Sequence, residues 1–358
     1  MSSKSWRKPT CEVLMTTDKN RQITLAARPQ GAPKKSDFKL IETAIPAPGN
    51  GEVVVRSIYL SLDPYMRGRM NEAKSYAKPV EIGEVMEGGV VAQVIASKNP
   101  KFNEGDIVFG YLGWQDYALS DGKGLRKLDA SQAPISTALG ILGMPGMTAY
   151  TGLSNIGRPK EGETLVVAAA SGAVGSAVGQ IGKIRGCRVV GIAGGAEKCE
   201  FAVNELGFDA CIDHHDNAFA QNLKHACPDG IDIYWENVGG VVFEAVLPLF
   251  NFFARMPVCG LIAHYNATAL PDSPNKVPIL MRSVLTNRLH IQGFIVWDYA
   301  SQQTEFETIM SRWIKEGKVK YREDFVTGLE NAPDAFIGLL EGRNFGKLVI
   351  KVSTDPTI

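Results

Sequence analysis

Residues 164–180 read TLVVAAASGAVGSAVGQ. A β-prone apolar run enters a glycine-rich turn, and the turn opens a helix-length stretch. This is the setting in which backbone N–H groups at a helix start receive a pyrophosphate. Laid on the pattern G-x-G-x-x-G, the turn reads Ala170, Ser171, Gly172, Ala173, Val174, Gly175, with alanine in place of the first glycine. Gly172 lets the backbone approach the phosphates, and Gly175 lets the helix lie close to the sheet.

Working outward, the chain from about 162 alternates strand and helix. The strand candidates are TLVVAAA, RVVGIAG, ACIDH, GIDIYWENV, RMPVCGLIA and LHIQGFIV. Between them lie helix-length stretches such as EKCEFAVNELG, AFAQNLKHAC and VPILMRSVLTNR. Nearly continuous apolar strands separated by helices predict an α/β fold with a doubly wound parallel sheet covered on both faces. Before it, residues 1–145 show short apolar runs such as EVVVRSIYL and GDIVFGYL, broken by proline and glycine turns, so a β-rich domain is expected. The nucleotide-binding domain is placed at 146–318. The remainder, 319–358, ends in the strand-like GKLVIKV and is expected to rejoin the first domain.

The end of the second strand separates the two nicotinamide cofactors, since an acidic residue there binds the adenosine ribose hydroxyls and repels a phosphate. Here that position is Gly194, followed within a helical turn by Lys198, and the third strand ends at His214. A lysine and an imidazole near a dianionic phosphate favour NADPH over NADH.

Composition narrows the partners. The 358 residues carry 38 basic and 38 acidic side chains, a balance without the concentrated positive field that nucleic acid demands. No apolar run reaches membrane-span length, and the polar opening MSSKSWRKPT lacks a signal-peptide core, so a cytoplasmic protein is expected. The cysteines at 11, 187, 199, 211, 227 and 259 form no C-x-x-C pair. A zinc alcohol dehydrogenase needs Cys, His and carboxylate ligands converging on one metal. The first domain has no histidine and only Cys11, while the five histidines all lie beyond 213. On a strand, adjacent His214 and His215 would point to opposite faces. No metal site is expected. Without a metal, reduction of a carbon–carbon double bond conjugated to a carbonyl is the easier chemistry. Charge then develops on a carbonyl oxygen that hydroxyl donors can stabilise.

SLDPYMRGRM (61–70), GWQDY (113–117), GMPGMTAYTGL (143–153), ENVGG (236–240), CGLIAHYN (259–266), QGFIVWDY (292–299) and NFGKLVIKV (344–352), with the glycine turn, span almost the whole chain. In these motifs the sequence resembles the zinc-free medium-chain dehydrogenase/reductase superfamily, within it the prostaglandin/leukotriene reductase and alkenal double-bond reductase family. GGAEKCEF, IDHH and ENAPDAFIGLLEGRNFGK are most similar to its bacterial curcumin-reductase branch.

The resemblance implies a Rossmann domain inserted into a GroES-like domain, with the active site in the cleft between. It implies that Gly172, Ala173, Val174 and Gly175 meet the pyrophosphate and Lys198 the adenosine phosphate. His214 stands where family members commonly carry tyrosine. Asn237, Cys259, Phe294 and Asn344 would line the cofactor, with Met144 and Thr148 near the nicotinamide. Tyr265 is the first catalytic candidate and Tyr65 the second, Tyr65 also as a substrate contact beside Arg67. Trp114 and Trp297 are candidates for the substrate pocket wall. The implied reaction is NADPH-dependent reduction of hydrophobic enones and alkenals, curcumin-like diarylheptanoids among them, by a homodimer. Two readings stay open beside it: a zinc-free quinone oxidoreductase, and a catalytically silent NADP-binding protein.

Overall fold

The computed structural model describes residues 19–269 and 276–358. Cys11 lies outside the described residues. A parallel sheet of six strands forms from Thr164–Ala168, Arg188–Ala193, Ala210–Asp213, Ile231–Trp235, Phe250–Val258 and His290–Gly293. Their spatial order is third, second, first, fourth, fifth, sixth, with every pairing parallel. The order reverses beside the first strand, and the crevice at such a reversal is where doubly wound sheets bind ligands.

Leu165 and Val167 join one buried apolar cluster, while Val166 and Ala168 join another across the sheet. Burial on both faces is why the strand reads as an uninterrupted apolar run. Ala169 turns the chain with φ +52°, and helix Ala173–Ile184 follows. That helix packs closely, since a Cβ on Gly175 would fall on the Ala169 carbonyl and one on Gly179 inside the Phe208 ring.

The second sheet runs Glu323–Thr327, Lys347–Lys351, Val53–Ser61, Gly89–Ser97, Ile107–Tyr111 and Arg126–Lys127, with Tyr117–Ser120 also paired to Val53–Ser61. The end of the chain thus sits inside the sheet begun near its start, with Val349 opposite Ser61. Leu329, Phe336 and Ile350 share one core with Ile23, Met66 and Val90.

Two elements depart from the sequence reading. The fifth strand begins at Phe250, earlier than RMPVCGLIA suggests. A helix at Met144–Gly152, opened by Pro145 in its first turn, had no periodic signal because nearly every residue in it is buried.

Candidate functional site

A cleft of about 660 Å³ runs between the two sheets, lined by residues of both. At one end lies the glycine turn. Gly172 precedes the helix with extended backbone, and the first-turn amides of Ala173, Val174 and Gly175 precede the helix's own hydrogen-bond ladder. Asn237, after the fourth strand, donates from Nδ2 to Ala168 O at 2.8 Å and accepts from Trp235 Nε1 at 3.1 Å, so it spans the crevice.

Beyond the second strand, Gly194 faces two imidazoles. A Cβ there would come within 3.0 Å of His215 and 3.2 Å of His214. Both histidines follow the third strand in a turn, with ring centroids 4.2 Å apart and edge to face, and both line the cleft. The expectation that they point to opposite faces is therefore corrected: the strand ends at Asp213, whose carboxylate accepts the amides of Gly195 and His215 and stops the alternation. Burial, then the neighbouring His215, hold His214 below the ordinary imidazole range. Lys198 is half-buried, its pKa is lowered by desolvation, and its Nζ donates to Gly342 O at 2.6 Å.

Toward the other end the wall holds Met144, Thr148, Cys259, Phe294 and Asn344. Thr148 Oγ1 donates to Met144 O at 2.8 Å, and Asn344 Nδ2 to Gly346 O at 2.9 Å. Phe294 meets Trp235 edge to face, and burial pushes the Cys259 thiol up to about 12. Tyr265 projects into the cleft, where its oxygen accepts the amide of Leu261 at 3.4 Å. The loop that carries it hangs from the end of the fourth strand. Cys259 N and Gly260 N donate to Glu236 O, and Ile262 N to Asn237 O.

Tyr65 enters from the opposite lobe, and burial raises both phenols above their usual range. Trp297 also lines the cleft, 54% exposed and edge-on to Tyr111 at 5.6 Å.

Two candidates do not line it. Trp114 is fully buried in the first lobe, stacked on Phe38 at 5.8 Å and edge-on to Phe336 at 5.7 Å. Arg67, 2% exposed, has its guanidinium engaged by Asn266 Oδ1, Asn71 Oδ1 and Gly31 O at 2.7–3.0 Å, so it ties loops together away from the cavity wall. The sequence reading also missed wall residues: Asp63, Arg69, Tyr76, Glu87, Tyr111 and Lys347. Arg69 lies under the Tyr76 ring at 4.4 Å and donates to Glu87 at 2.6 Å. Position in SLDPYMRGRM was the available signal for Asp63 and Arg69, and position in NFGKLVIKV for Lys347; nothing local marks the others. Among the described residues no group of three or more His, Cys, Asp or Glu could hold a metal ion.

Two family models match the chain, one described as the N-terminal domain of oxidoreductase over residues 21–128 and one as zinc-binding dehydrogenase over 173–316. The chain is 59% identical to the NADPH-dependent curcumin reductase of Escherichia coli over 339 residues, covering 94% of this chain and 98% of that one. It is 42% identical to prostaglandin reductase 1 of Rattus norvegicus over 334 residues, covering 92% and 98%. Among solved structures, CurA from Vibrio vulnificus in complex with NADPH superposes with a TM-score of 0.91 at 58% identity, covering 94% of this chain and all of that one.

Proposed function

The chain belongs to the medium-chain dehydrogenase/reductase family, with prostaglandin, alkenal and curcumin reductases as relatives, and from that premise we propose that it reduces the carbon–carbon double bond of α,β-unsaturated ketones and aldehydes with NADPH. The observation that carries this reading is the continuity of the cleft. A glycine turn and a half-buried lysine stand at one end of it, and half-buried phenols from both lobes at the other.

The residues fit the cofactor. A Cβ on Gly175 would run into the Ala169 carbonyl, so glycine there lets the helix start close against the strand, and the amides of Ala173, Val174 and Gly175 receive the pyrophosphate charge. The Lys198 ammonium would bind the adenosine phosphate, with His214 beside it, and Gly194 puts no carboxylate at the end of the second strand. Asn237, Cys259, Phe294 and Asn344 line the cofactor's path, with Met144 and Thr148 at the nicotinamide end. When bound, NADPH supplies the hydride that reaches the substrate β-carbon.

Tyr265 and Tyr65 donate their O–H groups toward the substrate carbonyl oxygen, where negative charge develops as the double bond is reduced. Their raised pKa values keep those protons in place at neutral pH. Trp297 and Tyr111 give the entrance an aromatic wall that suits a hydrophobic, extended enone.

The assembly is a homodimer in this reading. The strand His290–Gly293 is the outer edge of its sheet. Around it Phe252, Phe253, Met281, Leu285 and Ile291 stand exposed, Leu285 to 77%. A second copy related by a two-fold axis would cover that patch and pair edge with edge. A cytoplasmic setting belongs to the same proposal, supported by five described cysteines that stand as free thiols. Among the described residues no helix is long and apolar enough to cross a membrane.

Steady-state rates with NADPH and NADH against enones, alkenals, benzoquinones and saturated aldehydes test the reading. Turnover is expected with NADPH and enones or alkenals. Faster turnover of quinones would make the chain a quinone oxidoreductase, and tight NADPH binding without turnover on any of them a silent binding protein.

A further inference from the structure

We propose that the buried ion pair between Asp63 and Lys347 is a positioning device for Tyr65, fastening the turn that carries this phenol to the chain's last strand. The inference rests on the reading of Tyr65 as a hydrogen-bond donor to the substrate carbonyl.

The two side chains are 9% and 4% exposed, and both residues line the cleft. Lys347 Nζ donates to Asp63 Oδ1 at 2.7 Å and to Leu62 O at 2.8 Å. The other carboxylate oxygen of Asp63 accepts the hydroxyl of Ser61. Three successive residues, 61 to 63, are thereby gripped, and the turn that follows closes on the same aspartate. Met66 N donates to Asp63 O at 3.1 Å and Arg67 N to Pro64 O at 3.1 Å, with Tyr65 between them.

The lysine is held in turn. Its stem packs where a Cβ on Gly140 would come within 3.3 Å of Cγ, and its amide donates to Arg322 O at 2.9 Å. Burying two charges costs desolvation that an apolar pair of the same volume avoids, so cohesion alone is a weak reason for this pair. Direction is a stronger one. A two-point ammonium clamp fixes the register of the turn against the segment that returns from the nucleotide-binding domain, 284 residues later in sequence. Asn344, three residues before the lysine, lines the cleft on that same segment. The phenol is thus located relative to the tail that completes its own lobe and that presents Asn344 to the cleft.

The test is a mutational cycle on kcat for an enone, read beside melting temperature and NADPH affinity. Tyr65→Phe is expected to lower kcat. Asp63→Asn combined with Lys347→Met removes both charges together and is expected to keep the fold while lowering kcat about as far as Tyr65→Phe does, with NADPH affinity within about threefold. Adding Tyr65→Phe to that pair is expected to cost nothing further. Ser61→Ala removes only the hydroxyl donor; it is expected to leave the melting temperature in place and lower kcat by about two- to fivefold. If the paired variant does not fold, Ser61→Ala decides alone. Wild-type kcat in either folded variant, or losses that multiply with Tyr65→Phe, would overturn the positioning role while Tyr65 keeps its own. A silent Tyr65→Phe would instead remove the reading of Tyr65 on which the inference stands.

Discussion

Lys198 is the residue to which we assign the choice of cofactor. Its ammonium is already half out of water, so a phosphate that reaches it meets a strong, weakly screened donor. Lys198→Ala is expected to raise the NADPH Michaelis constant about ten- to hundredfold while NADH kinetics barely change. An equal loss for both cofactors would refute the phosphate contact. Tyr265 is argued the same way from its burial. Tyr265→Phe is expected to lower kcat with cofactor affinity kept. In the wild type a donor phenol loses its proton as pH rises through its raised pKa, so activity is expected to hold up to and beyond the ordinary phenol value near 10. A pH–rate profile whose alkaline limb is unchanged in Tyr265→Phe would contradict the assignment. What the sequence made legible at this scale was local. Gly172, Gly175 and Lys198 are read from their neighbours along the chain. Tyr111, Lys347 and Glu87 reach the cleft through sheet pairings far apart in sequence. Trp114 and Arg67 show the converse, since a motif residue can serve the packing beside a site as readily as its wall.

Among the elements, the helix Ala173–Ile184 depends on closeness. Gly179 faces the Phe208 ring with no room for a methyl group, and Gly182 faces Leu165 and Val189. Gly179→Val is expected to destabilise the protein by about 1–3 kcal/mol or more, seen as a lower melting temperature and as a weakened hold on the cofactor, because the helix start moves with its body. An unchanged melting temperature would show that Phe208 swings aside freely. The six parallel strands were legible because burial on both faces writes itself as unbroken apolar runs. The helix Met144–Gly152 was not: buried all round, it has no polar stripe to mark its period. The partners of the first lobe's strands are fixed by topology that no local pattern encodes.

At the scale of the whole molecule, the chain leaves its first sheet, builds the second domain and returns to complete the first, so the cleft lies between two lobes of one continuous polypeptide. The proposed dimer adds a further layer. Light scattering is expected to give twice the chain mass, and Leu285→Glu with Phe253→Glu is expected to give a single-chain mass with the fold retained, because charges placed in a covered apolar patch oppose association. A wild-type protein that runs as a monomer would remove the second copy from the account. The lysine proposed to select the cofactor meanwhile leans on the carbonyl of Gly342, in the returning tail of the other lobe. That oxygen acts as a resident placeholder. It keeps the amine aimed and partly dehydrated during idle periods, so an arriving phosphate displaces or joins a weaker acceptor rather than recruiting a wandering surface chain. Discrimination between cofactors is then tied to one of the contacts that join the lobes, and whatever loosens the tail also blunts the choice.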